Sequence, residues 1–521
     1  MIRRAVLAAL VAAGPAAALP GTLAAQAIDT IVVENHNIFE PLGDAPGLLA
    51  RLGDALHVRT RAWVIRRTLL FDRGDAYDSA RVVESARALR GLGVFRDVEL
   101  DTVRVDGRLG VRVTTADGWS TRPQGGWSST AGSVSWNVGL VEKNLLGTAN
   151  QLQALYDRTP DRSSWALLLH APALVLRRAS LDLDLLDLSD GRAAYWAYGV
   201  PFYETAAPAS LVTSGEAGTT RVLTFRDGAL ADSLQRRALR FALGGGIALR
   251  ATDHDYARLE FFAQLRRESF SPYGVPAATD SLTFTPAVGL EVGRSRFVVA
   301  RSLDQYDRPE DVDVSSRLWI GAWAAPRGFG YGAGRAGVGP QVSAQWGAAW
   351  GSGFAWLRLN ADGVLGAAGL DSGRADAAMT VATQGLPRQT LVVHAEGGAA
   401  RRVAPGSEYD LWLYLDGPRA YPAHAFTGTR RYWAVAEDRF LVANDFLGLV
   451  GIGLAPFVEW GGAWYADERP RAAGDAGLAL RLGATRSTRG EVTEIAVARR
   501  FGPAVVSGGW ALVIRQAVDL R

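Results

Sequence analysis

The sequence predicts a mainly β fold, a transmembrane β-barrel of about sixteen strands preceded by one small α+β domain. Three observations point there. From about residue 119 to the C-terminus, short segments alternate apolar and polar residues with turn formers between them. The composition combines 59 Gly, 16 Trp and 14 Tyr with 21% charged residues, and past the first 27 residues no segment resembles a spanning helix. There is no cysteine, so an exported chain of this size needs a source of stability other than disulfides, and a large closed sheet is one.

The first element is a secretory signal over residues 1–27. Arg3 and Arg4 precede an apolar run that ends in Ala25-Gln26-Ala27, with cleavage expected after Ala27. Gly14, Pro15 and Pro20 break the run short of the ~20 apolar residues a membrane anchor needs. Removing Arg3 and Arg4 takes the formal charge from +3 to +1 (3 − 2 = 1). No large basic surface remains, and no nucleic-acid partner is expected.

Residues 28–118 mix strand and helix signals. A strand is expected over 28–39 (IDTIVVENHNIF). Over 60–71, Val64 or Ile65 with Leu69, and Trp63 with Leu70, fall near helical spacing, and Arg73-Gly74-Asp75 ends the run. Over 78–92, Val82, Val83, Ala86, Leu89 and Leu92 share a helical face behind an Asp78 or Ser79 cap, and Gly93 stops it. Strands over 95–103 and 109–115 follow, joined at Asp106-Gly107. The expected order is β-α-α-β-β, with 40–59 left without an assigned conformation. Gly74, Gly93 and Phe95, within DRGDAYD and LRGLGVF, carry a resemblance to POTRA domains, in which two helices pack on a small sheet whose edge receives client segments.

Residues 119–521 read as the barrel. Arg258, Glu260, Phe262, Gln264 and Arg266 alternate with Leu259, Phe261, Ala263 and Leu265, as Leu181, Leu183 and Leu185 do with Asp182 and Asp184. Gln341, Ser343 and Gln345 alternate likewise with Val342, Ala344 and Trp346, so that lipid lies on one face and water on the other. The polar segments 204–218, 304–313 and 403–408 read as loops.

Two stretches carry finer signals. VEKNLLGTANQ over 141–151 contains Glu142, Asn144 and Gly147, where Gly147 permits a tight reversal and Asn144 can bond its own backbone. In 411–440 a Gly/Pro-bounded tip, Arg419-Ala420-Tyr421, runs into a strand whose Arg431, Trp433, Val435, Glu437 and Arg439 share a face. In PFVEWGG (456–462), Glu459 points the same way as Phe457 and Gly461. Following a POTRA-like domain, these stretches resemble the BamA/TamA family of outer-membrane assembly proteins. The first is similar to its E-x-N-L-x-G-T turn, and the last to its F-x-D-x-G strand, with Glu459 where Asp is usual. The tip is similar to its R-G-F/Y loop, with Ala420 in place of Gly.

That resemblance implies a lumen-folded loop in which Arg419 and Tyr421 meet inward Glu437, Arg439 and Glu459. A buried Arg is costly unless it forks to a carboxylate, so Arg419 is expected to contact Glu437, Glu459 or both. The alternative is that these are solvated lumen charges. It also implies insertion or translocation of client proteins at a seam between 124–140 and 508–520, without a cofactor. The expected setting is the outer membrane and its lipids, with the small domain in the periplasm beside accessory proteins or chaperones. A passive pore or lipid-handling barrel is the competing reading. No catalytic or metal-binding residues stand out: the six histidines are scattered, no G-x-S-x-G is present, and the G-x-G-x-x-G match at Gly332 to Gly337 lies outside any βαβ pattern.

Overall fold

The computed structural model describes residues 26–40, 47–130, 133–275, 281–306, 308–331, 336–367, 369–411, 417–488, 492–502 and 509–516. Residues 1–25 of the expected signal, residues 332–335 of the Gly-rich match, Asp416 and Gly508 lie outside that set.

The N-terminal unit runs β1 (Thr30–His36), α1 (Gly47–Leu56), α2 (Ala62–Thr68), α3 (Ser79–Gly91), β2 (Phe95–Val105) and β3 (Arg108–Asp117). Its sheet has the order β1-β3-β2, with β1 parallel to β3 and β2 antiparallel to it. Val64, Ile65, Val82 and Leu89 from the helices, with Leu69 just past α2, bury against Val98, Val111 and Val113 of the sheet. The side chain of Asp78 caps α3 through the Ala80 N–H at 2.8 Å. Asp106 and Gly107 both have positive φ, 50° and 78°, as a two-residue type I′ hairpin turn requires. The unexpected element is α1, which makes the order β-α-α-α-β-β. It occupies part of 40–59, where Pro and Gly on its N-terminal side mask the helical signal, and its Ala50 packs with Ile38 and Phe39.

Beyond this unit, ten consecutive strands precede a short hairpin. They are β4 (Thr121–Thr130), β5 (Ser133–Leu145), β6 (Asn150–Arg158), β7 (Ser163–Ala171), β8 (Ser180–Leu188), β9 (Gly191–Val200), β10 (Ala209–Arg226), β11 (Ala229–Ala251), β12 (Asp255–Pro272) and β13 (Ser281–Arg294). The hairpin is β14 (Phe297–Arg301) and β15 (Pro309–Asp313). Five strands follow: β16 (Ser316–Ala325), β17 (Gly337–Trp350), β18 (Gly353–Gly366), β19 (Gly369–Thr383) and β20 (Gln389–Arg401). A second small hairpin, β21 (Tyr409–Leu411) with β22 (Phe426–Gly428), leads to β23 (Arg430–Phe446), β24 (Val450–Trp464), β25 (Ala473–Ala484), β26 (Val492–Phe501) and β27 (Trp510–Gln516).

Apart from the two hairpins, these strands close into one antiparallel barrel, twenty strands among the described residues. Twenty corrects the expected sixteen. The estimate assumed long connections, whereas several are two residues, such as 189–190 and 227–228. The segment 204–218, expected as a loop, yields its second half to β10, and 304–313 ends in β15.

The wall alternates as a membrane barrel requires. Leu239, Phe241, Leu290, Ile320, Trp346, Met379 and Leu391 are exposed on its outer face. Trp136, Tyr156 and Trp165 form a chain of tilted ring contacts, with centroids 5.3 and 4.8 Å apart, near the end of the barrel away from the N-terminal unit. Where the barrel closes, Leu512, Val513 and Ile514 of β27 pair with Ser129, Ser128 and Trp127 of β4. The neighbouring ladder from β26 to β27 is longer, running from Thr493–Gln516 to Arg499–Trp510.

Candidate functional site

Two connections fold into the lumen from opposite ends. Residues Tyr409, Leu411, Tyr421 and Phe426 of the β20–β23 connection share one buried cluster with Leu303, Val312 and Val314 of the β14–β15 region. Inward Phe354, Trp356, Trp433 and Val435 belong to the same cluster. The centre of the barrel is therefore packed with apolar side chains as well as charges.

The tip of the β20–β23 connection places Arg419 at the charged part. The side chain is 2% exposed and Glu459 is 1% exposed, values of a desolvated pair. Arg419 donates from Nε and Nη2 to Glu459 Oε1 at 2.8 and 2.6 Å, and its backbone N–H reaches Oε2 at 2.8 Å. Nη2 also lies 3.3 Å from Glu437 Oε2, and Nη1 3.5 Å from Glu494 Oε2. The guanidinium carbon stands 3.7 Å over the Phe457 ring. Arg419 thus contacts both expected carboxylates, Glu459 by the shorter bonds, and a third that the sequence reading did not single out.

Further residues extend this into a network. Arg481 Nη1 donates to Glu437 Oε1 at 2.9 Å and to Glu494 Oε1 at 2.5 Å, and Arg515 of β27 donates to Glu494 Oε2 at 3.1 Å. Arg439 donates to Glu437 at 2.6 Å. Tyr421 directs its hydroxyl at the carbonyls of Gly474 and Phe501, each at 3.1 Å. The Ala420 N–H donates to Asp475 Oδ2 at 2.8 Å.

Ala420 does not have positive φ, so the Gly of the resembling motif is not needed here. Its methyl is fully buried against Ala455, Phe457, Ala479, Ala496, Ala498, Ala511 and Val513. Those small inward residues on β24 to β27 leave the volume that the tip occupies. Glu494, Arg481 and Arg515 were legible in parity, since each lies on an inward row, but only the cross-strand register shows that they meet.

From the other end, the loop between β14 and β15 reaches the same network. Arg439 Nη1 donates to Leu303 O at 2.7 Å and to Asp304 Oδ1 at 2.8 Å. Glu310 ties the loop by accepting from the Leu303 and Asp304 N–H groups at 2.8 and 3.1 Å. Tyr306 lies in a gap made by three glycines. A Cβ on Gly451, Gly453 or Gly483 would come within 2.1, 2.5 and 2.6 Å of its side chain. Its hairpin also meets the N-terminal unit, where Arg90 of α3 forks to Asp311 at 2.6 and 2.8 Å, and Arg87 stands 3.8 Å over Phe297.

The turn motif lies at the junction between the two units. Glu142 Oε1 accepts from the Asn144 N–H at 2.6 Å. Asn144 Oδ1 accepts from the Ala149 N–H at 2.9 Å, while its Nδ2 donates to Thr60 Oγ1 at 2.8 Å. Gly147 has φ +74°, and an added Cβ would come within 2.4 Å of Arg59 O. Its carbonyl accepts from the Arg61 N–H at 2.9 Å. Of the other singled-out residues, Gly74 has φ 95° and Gly93 φ 70°, while Phe95 is buried in the core of the N-terminal unit.

No known family profile matches the chain. The outer membrane protein assembly factor BamA of Neorickettsia risticii is 34% identical over 99 residues, which are 18% of this chain and 13% of that relative's length. Among solved structures, CdiB from Escherichia coli superposes with a TM-score of 0.50 at 10% identity, covering 94% of this chain and 76% of that one. BamA from Haemophilus ducreyi lacking POTRA domains 1–3 gives 0.41 at 10% identity, covering 93% and 83%. The chain is thus similar in sequence to BamA over about a fifth of its length, and its closed barrel shares the fold of the outer-membrane protein CdiB.

Proposed function

We propose that this protein inserts or translocates other polypeptides at the outer membrane, and that a client strand pairs at the β27–β4 seam. The observation that carries this reading is the short ladder there among the described residues, Leu512 to Ile514 against Ser129 to Trp127, beside the longer β26–β27 ladder. A short ladder is the least costly place to exchange hydrogen bonds with an incoming strand without leaving backbone groups bare in lipid.

On this reading the N-terminal unit is a POTRA-like periplasmic domain that offers the edge strands β1 and β2 to clients or accessory proteins. The Arg419 tip is a latch. Through Glu494 it reaches Arg515 on the last strand, so its engagement holds β27 against the wall. The lumen contents oppose the passive-pore reading, because two connections and an apolar cluster occupy the path that solute would take.

The seam can be locked directly, since the chain has no native cysteine. Ser128 and Val513 are register partners, and S128C/V513C should form a disulfide across the closure. Assembly of a reporter barrel in proteoliposomes should stop on oxidation and recover on reduction. Full assembly by the oxidised, cross-linked protein would overturn the proposal.

A further inference from the structure

On the lipid-facing wall, at the end away from the N-terminal unit, the register assembles a small-residue groove beneath two arginines. Ala361 pairs with Ala375, Ala375 with Ala399, and Ala399 with Arg430. One row further out, Gly363 pairs with Gly373 and Gly373 with Arg401. These positions share the outward parity of Leu357, Met379 and Leu391, which are exposed large apolar residues. The groove has a volume of about 750 Å³, and its lining also includes Leu370, Tyr465 and the acids Asp362 and Asp467.

Arg401 and Arg430 are diagonal neighbours on adjacent strands, a separation of roughly 7–8 Å that places like charges near each other. Both are exposed, and neither has an ion-pair partner among the described residues. The nearby acid Asp467 lies 3.8 Å from Arg226 instead. Arg158 and Arg499 repeat the pattern elsewhere on this rim, outward and exposed, beside Trp136 and Trp510 in register. At the opposite end of the wall the outward Arg294 is paired, 2.7 Å from Asp255. An unpaired cation on a lipid-facing wall is tolerated at the headgroup level, where an anion can reach it.

We propose that Arg401 and Arg430 bind a phosphate of an anionic lipid of the extracellular leaflet, with an acyl chain of that lipid lying in the groove floored by Ala361, Ala375 and Ala399. Each half of the site matches one half of such a molecule: two adjacent guanidiniums with no protein counter-ion, and an apolar furrow that larger side chains would fill. The site is independent of the seam and of the lumen latch.

The test uses the full chain in phosphatidylcholine nanodiscs doped with bis-phosphorylated lipid A, with retained lipid read by native mass spectrometry. Parallel arms supply a lipid A analogue without phosphates, and inorganic phosphate alone. The wild type should retain the phosphorylated lipid and neither of the others. R401Q/R430Q should weaken retention about thirtyfold, two basic contacts' worth, while R158Q leaves it unchanged at this site. A375L, which fills the groove and keeps both arginines, should also weaken it. Heat-modifiable migration on gels establishes that each variant is folded. Equal retention by R401Q/R430Q, or equal retention of the phosphate-free analogue, would overturn the proposal.

Discussion

Replacing Arg419 with Ala removes the cation that faces Glu459, Glu437 and Glu494 at 2.6, 3.3 and 3.5 Å. Glu459 would keep one short contact, to the backbone N–H of residue 419. Removing one partner of a buried, hydrogen-bonded ion pair costs about 3–5 kcal/mol, because the remaining carboxylate is left desolvated. That energy acts on the docking of the tip, not on the whole barrel, whose ladders are untouched. At about 1.4 kcal/mol per decade it raises the open population of the tip some 150- to 4,000-fold. When opening is fast relative to cleavage, proteolysis tracks that population. Cleavage of the 402–429 connection in folded, detergent-solubilised protein should therefore accelerate by two to three orders of magnitude, on the order expected from that cost. Glu459→Asp should fall between, since it withdraws the carboxylate by roughly one C–C bond, ~1.5 Å. An Arg419→Ala effect below about 1 kcal/mol, less than about fivefold in rate, would mean that the lumen charges are solvated and that the tip is no latch.

Other consequences are open to measurement. His424 lies between Asp161 and Asp410 at 2.8 and 2.5 Å and stacks on Phe225. Burial alone would lower its pKa, but the two carboxylates outweigh burial and raise it to about 9. Its contribution to docking of the connection is thus fully present below the unfolded value of about 6.5 and is lost as pH rises through about 9. Protease protection of the connection measured from pH 6 to pH 10 should fall over that upper range, and H424N should flatten the curve; a flat wild-type profile would refute this. Gly147→Ala should loosen the junction, because it combines positive φ with a Cβ 2.4 Å from Arg59 O. Amide exchange at residues 58–61 should rise at least tenfold, the φ penalty alone being about 1–2 kcal/mol, and unchanged exchange would count against the docking role of this turn.

Much of this was legible in the chain. Parity alone put Glu437, Arg439 and Glu459 on inward rows, and an Arg-bearing tip needed a carboxylate. The number of strands was not legible, because a period-two pattern marks a face but not where a strand stops. β11 runs 23 residues while β27 is described over 7. Nor was the partnership of Arg481, Glu494 and Arg515, since inward residues on different strands meet only through register. The β14–β15 hairpin was hidden by its polarity: Asp304, Glu310 and Asp311 look like solvent-facing loop residues. In the structure their charges are consumed by Arg439, by the hairpin's own backbone and by Arg90. The three glycines around Tyr306 were a missed sign, because vacant positions on adjacent strands imply an intruding ring.

A wall of twenty strands encloses more cross-section than its own side chains can fill, being wider than porins that conduct water and solutes. The Tyr306 hairpin and the Arg419 tip close that cross-section from its two ends. This makes the barrel a matter of permeability: an excursion of either stopper would open a path along its axis. The glycine socket and the ion network then act together as a seal across the barrel.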